Sequence, residues 1–139
     1  MPNYMQSPMR SQFDKALRGP MEYRRRSGGA FDPASMFTPT TPGWVYDLSD
    51  FSTLFQDASG TIPVTAVEQP VGLVLDKSGN GNHASQPTST KRALLKVDGS
   101  GKYYLKGDGI DDFMSTAAID FTGTDTLALW AGVTKLEDT

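Results

Sequence analysis

A chain of 139 residues is long enough for one domain and short for two, and 37% apolar residues with 14 glycines and 9 prolines point to a turn-rich fold, not a helical bundle. The net charge of −3 argues against a general nucleic-acid binder, and the lack of cysteine excludes disulfides and thiolate metal sites. No window approaches the roughly 18 apolar residues of a membrane span, and the first twenty residues lack the apolar core of a secretory signal, so we expect no membrane partner and a mature chain that begins at Met1.

Charge divides the chain. Residues 1–42 hold six basic and three acidic side chains, a net +3, which leaves −6 for residues 43–139. A cationic arm on an acidic body needs an anionic or groove-like partner. Within the arm, Ser7 and Pro8 make a helix start, with a side-chain cap followed by proline at the first helical position. Met9, Phe13, Ala16 and Leu17 then share one helical face until Gly19-Pro20 ends it. A helix of about ten residues is marginal in water, so this stripe forms fully only when docked; the alternative is a frayed tail. Arg24, Arg25 and Arg26 follow, as a partner-anchoring cluster or as a solvated charge run. Proline and glycine then space a stretch without periodicity, which reads as an extended arm.

From Trp44 aromatic and β-branched residues alternate with turn residues, as strands do. The pattern predicts strands at 43–46, 62–66, 71–75, 103–105, 113–115 and 126–135, with a short helical turn within 47–56. In the last strand Leu127, Leu129, Ala131 and Val133 alternate with Ala128, Trp130, Gly132 and Thr134, so one face is wholly apolar. Gly- and Asn-rich turns at 57–60, 77–82, 98–101 and 107–109 separate the strands. Many short strands with sharp turns imply an all-β sandwich.

Little here points to catalysis. His83 is the single histidine and no G-x-S-x-G surrounds a serine, so a nucleophile with its base is poorly supported. Residues 76–81 open like a calcium loop, but the twelfth position is Pro87 where the bidentate glutamate belongs, which favours an Asx turn that satisfies its own backbone. Asp108, Asp111 and Asp112 offer carboxylates to a cation or, more simply, to the backbone N–H groups of their turn. They are close in sequence and lie in a tight turn, so nothing forces them to face each other across a glycoside as acid and base. We expect no enzyme activity, no metal and no cofactor.

The run Leu75-Asp76-Lys77-Ser78-Gly79-Asn80-Gly81-Asn82-His83-Ala84, followed by Tyr104-Leu105-Lys106-Gly107-Asp108-Gly109-Ile110-Asp111-Asp112-Phe113, resembles the paired turn signature of laminin-G-like, concanavalin A-like jelly rolls. The stretch from Trp44 to Asp57, with Gln69-Pro70-Val71-Gly72, is similar to a module ahead of that jelly roll in bacteriophage virion and prophage tail proteins. The resemblance covers roughly residues 43–136. Gly107 stands where the family has phenylalanine, which removes a core side chain, and calcium binding is not carried over.

The resemblance implies a virion protein of a tail, fibre or decoration, assembled in the host cytoplasm. Its partners would be other virion subunits and further copies of itself in a larger assembly. Strand 126–135 corresponds to an early jelly-roll strand, so we expect a sandwich incomplete within this chain, with an inner face and an edge that neighbours cover. The alternative is a module for host-surface glycan, in which Tyr103, Tyr104 and Trp130 offer stacking surfaces beside Asp111 and Asp112; the competing role of those aromatics is core packing.

Overall fold

The computed structural model describes residues 31–134 except Pro39 and Asp125. The predicted helix at 7–17 and the arginine run lie outside the described residues. The chain divides after Asp32, and the second unit carries the structure that follows.

That unit is β-rich. Leu54–Phe55 (β1), Leu73–Val74 (β2) and Ala84–Ser85 (β3) form an antiparallel sheet in the order β1-β2-β3, while Leu94–Val97 (β4) and Tyr103–Lys106 (β5) form an antiparallel hairpin. Single bridges extend the sheets, joining Phe55 to Pro63, Pro70 to Leu94 and Ser85 to Ser115. The helical content among the described residues consists of 3₁₀ turns at Pro33–Met36, Phe51–Thr53 and Ser89–Lys91.

The two sheets share one core. Leu54, Val64, Val71, Val74, Ala84 and Leu95 pack together, and Tyr46, Leu48, Phe51, Tyr103, Leu105 and Met114 close over them. Leu54, Val71 and Leu95 are fully buried. Close packing reaches the backbone at Gly72, where an added Cβ would sit 2.6 Å from the Gln56 carbonyl oxygen and 2.9 Å from the Asp57 carbonyl carbon.

The β4–β5 hairpin turns where the sequence predicts. Asp98 Oδ1 accepts the amides of Ser100 at 2.8 Å and Lys102 at 2.9 Å, and Gly101 takes the left-handed φ of 81° that closes the turn. The Asp57 turn is built likewise. Its carboxylate accepts the amides of Thr61 and Ile62, so the Ser59 hydroxyl and these amides hold it well below the usual carboxylate range.

Several predicted strands are shorter than expected or absent. The stretch 103–105 belongs to β5 and 71–75 contains β2. At 43–46 there is no strand, because Val45 bonds a loop instead: its amide donates to Asp76 Oδ1 and its carbonyl accepts from Lys77. Within 62–66 only the bridge at Pro63 forms, through the Val64 amide to the Leu54 carbonyl and the Gln56 amide to the Ile62 carbonyl, and pairing stops there because Gln69 Oε1 takes the amides of Thr65 and Ala66. Ser115 is the sole bridged residue of 113–115. The stretch 47–56 contains the 3₁₀ turn Phe51–Thr53, whose cap Asp50 accepts the Ser52 amide, and then β1.

The largest correction falls on 126–135. None of its described residues belongs to a strand, and none makes a backbone hydrogen bond to another described residue. An alternating pattern makes a strand only when another strand accepts its backbone. Three strands were missed: β1, which lies in the stretch read as a helical turn, β3, and β4, in which Leu94 and Leu95 are adjacent but face opposite sides.

Candidate functional site

Residues 76–83 form a closed loop built around Asp76, whose residue is only 9% exposed. Oδ1 accepts the amides of Val45 at 2.8 Å and Ser78 at 2.9 Å; Oδ2 accepts the Ser78 hydroxyl at 2.7 Å and the Asn82 amide at 3.0 Å. Burial pushes the carboxyl up, but these donors outweigh it and hold the group below its ordinary value. His83 Nδ1 accepts the Asp76 amide at 2.9 Å, which leaves the imidazole proton on Nε2. Asn80 and Asn82 donate to the Gly43 carbonyl, and Asn80 also to that of Thr41. Tyr46 donates to the Asn82 carbonyl at 2.5 Å, and burial, helped by the charge of Asp76, pushes its phenol up to about 12. Lys77 bridges Asp47 at 3.1 Å and Asp50 at 2.9 Å. The loop motif thus clamps residues 41–50, and its carboxylate takes four hydrogen bonds from within the fold, as an Asx turn does.

The second motif lies beyond β5. One carboxylate oxygen each from Asp108, Asp111 and Asp112 falls within 4.8 Å of the others. Each has a partner within the fold. Asp108 Oδ1 accepts the Ile110 and Asp111 amides, and chiefly the first of these holds its carboxyl below the ordinary value. Asp112 Oδ2 accepts the Asp108 amide at 3.0 Å, and Asp111 pairs with Lys91 at 3.2 Å. This is a self-capped acidic turn.

Between that turn and the outer face of the hairpin lies an open depression of about 350 Å³, lined in part by Arg92, Lys96, Lys106, Asp108 and Asp112. Arg92 is spent on the carbonyls of Gln86, Gln56 and Pro87 at 2.9, 3.1 and 2.7 Å, and Lys96 pairs with Glu68. Lys106 makes no ion pair among the described residues. These cations escaped the sequence reading because their partners lie up to 36 residues away along the chain.

No family model, curated protein or solved structure matches this chain. The site therefore stands on its own geometry.

The aromatic residues predicted as stacking surfaces are not gathered into one platform. Tyr103 points inward, where its ring meets Phe51 edge-on at 5.2 Å, whereas Tyr104 points outward opposite Lys96 and is 39% exposed. Trp130 is 89% exposed and lies in the unpaired segment. Asp111 and Asp112 do come together, with Asp108. Met9, Phe13, Leu17, Arg24, Arg25 and Arg26 lie outside the described residues.

What the sequence could not show is the state of the hairpin's free edge. Leu95 donates to the Gln69 carbonyl at 2.9 Å and accepts the Glu68 amide at 2.7 Å, so its backbone faces away from β5. Leu95 and Leu105 are consequently a non-hydrogen-bonded pair, and the N–H and C=O groups of Tyr103 and Leu105 must point away from β4. No described residue bonds them. The fold also leaves Leu127, Leu129, Trp130 and Val133 in water, with Leu129 71% exposed.

Proposed function

We propose that the chain is a non-catalytic structural component of a bacteriophage particle, belonging to a tail, fibre or decoration. In this reading the body is part of a laminin-G-like jelly roll, and residues 1–42 anchor it to neighbouring virion subunits through Met9, Phe13, Leu17 and the Arg24–Arg26 cluster. The turn motifs at 75–84 and 104–113 support the jelly roll, as do two antiparallel sheets over a common core. The observation that carries the assembly role is the exposed apolar run Leu127, Leu129, Trp130 and Val133, since an alternating apolar segment is unfavourable in water and is favoured against a partner surface.

Light scattering on the full chain tests this, together with titration of host-surface polysaccharide. The expected result is self-association or capture into larger particles without saturable glycan binding. A monomer that stays folded on dilution and binds polysaccharide saturably would instead support a receptor-recognition module. That second reading draws on Trp130 and Tyr104, whose exposed rings suit sugar stacking. A catalytic reading would require that Asp111→Asn abolish a hydrolytic activity; we expect none to lose.

A further inference from the structure

We propose that residues 126–134 of one copy add as an antiparallel strand to the open edge of β5 in a second copy, so that copies join by strand exchange through the β4–β5 hairpin. The inference deepens the assembly reading and rests on it in requiring a second copy.

Three observations support this pairing. The edge offers the backbone groups of Tyr103 and Leu105, which no described residue bonds. A sheet edge in this state is a template for another strand. The same chain carries a segment in the complementary condition, with period-two apolar side chains, no charged residue from 126 to 134, and no backbone bonds among the described residues. Finally, one register suits both faces. With Leu129 beside Leu105 and Ala131 beside Tyr103, the small and branched side chains extend the apolar inner face of the hairpin. The outward positions then bring Trp130 beside Tyr104, two exposed rings that would cover each other. Because Tyr103 and Leu105 supply the hydrogen bonds, Tyr104 and Trp130 would form a non-hydrogen-bonded pair, the closer of the two kinds.

The chain's lack of cysteine gives a clean test. In that register Tyr104→Cys and Trp130→Cys place two Cβ atoms within disulfide reach across the joint. Full-length double variant, oxidised at high concentration, should run as a covalent multimer on a non-reducing gel, while Tyr104→Cys paired with Leu129→Cys, on opposite faces, should not. Trp130→Asp should abolish self-association in light scattering, and circular dichroism should show the fold retained.

A bond formed within one chain would overturn the proposal, by showing that the segment closes on its own copy. Association that persists in Trp130→Asp without cross-linking would also overturn it, yet leave the assembly reading standing. A wild-type chain that remains monomeric at every concentration, alone and with virion subunits, would end both.

Discussion

The loop 76–83 and the segment 126–134 both carry clear sequence patterns, and they end in opposite states. In the loop, each charged or amide group finds a donor or acceptor nearby, and Asp76 alone gathers four hydrogen bonds. In the segment, the apolar alternation is equally plain, but Leu127, Leu129, Trp130 and Val133 stay exposed. The difference lies in whether the partner is engaged. The Asp76 loop takes its partners from its own turn and from residues 41–50, whereas a strand needs the edge of a second strand, and no described residue gives 126–134 a backbone bond.

Variants can press on each side of this contrast. The largest effect belongs to the core on which both depend: Leu95→Ala empties a fully buried site and should cost about 2–5 kcal/mol in chemical denaturation. A change below about 1 kcal/mol would mean that the two sheets do not share a core. Next comes the clamp. Asp76→Ala strands the amides of Val45, Ser78 and Asn82 and should cost about 1–3 kcal/mol.

The clamp also predicts a response to acid. Because the folded Asp76 carboxyl lies below its ordinary value near 3.8, its contribution is complete above that pH and is lost as pH falls further, towards its folded value. Asp57 adds in the same direction. Denaturation midpoints should therefore hold steady above about pH 5 and drop below about pH 4, less steeply in Asp76→Ala than in wild type. Equal slopes would show that the loop carboxylate is not held as described.

Gly72→Ala sharpens the packing side. Its Cβ would press on the backbone at Gln56 and Asp57, for an expected loss of about 1–3 kcal/mol. The smallest effect should come from the segment: Leu129→Asp in dilute solution should change stability by no more than about 0.5 kcal/mol, because nothing folded covers that side chain. A large loss would place Leu129 in a core.

The sequence made the turns legible because their chemistry is local. Asp98, Gly101 and the Ser78 and Asn82 amides of the Asp76 loop act through neighbours, and the alternation of aromatic and β-branched residues with turn residues indicated a β-rich body. Strand limits were less legible. Val45 would extend a strand by pattern, but the Asp76 carboxylate 31 residues away captures its amide. The ladder that Ile62 and Val64 begin goes no further because the Gln69 side chain takes the Thr65 and Ala66 amides. β4 was hidden because Leu94 and Leu95 sit on opposite faces, one against Lys106 and the other fully buried. For the site, the carboxylate turn was readable, but the direction of each tyrosine was not, since alternation along β5 sends Tyr103 and Tyr104 to opposite sides. The open edge of β5 depends on which side of β4 meets Gln69, which no local pattern encodes.

Amide hydrogen exchange as a function of protein concentration addresses the edge and the segment together. The amides of Tyr103 and Leu105 and those of residues 126–134 should exchange freely in dilute solution and become protected in step as concentration rises. Protection that is already present at high dilution, or absent throughout, would contradict a joint made between copies.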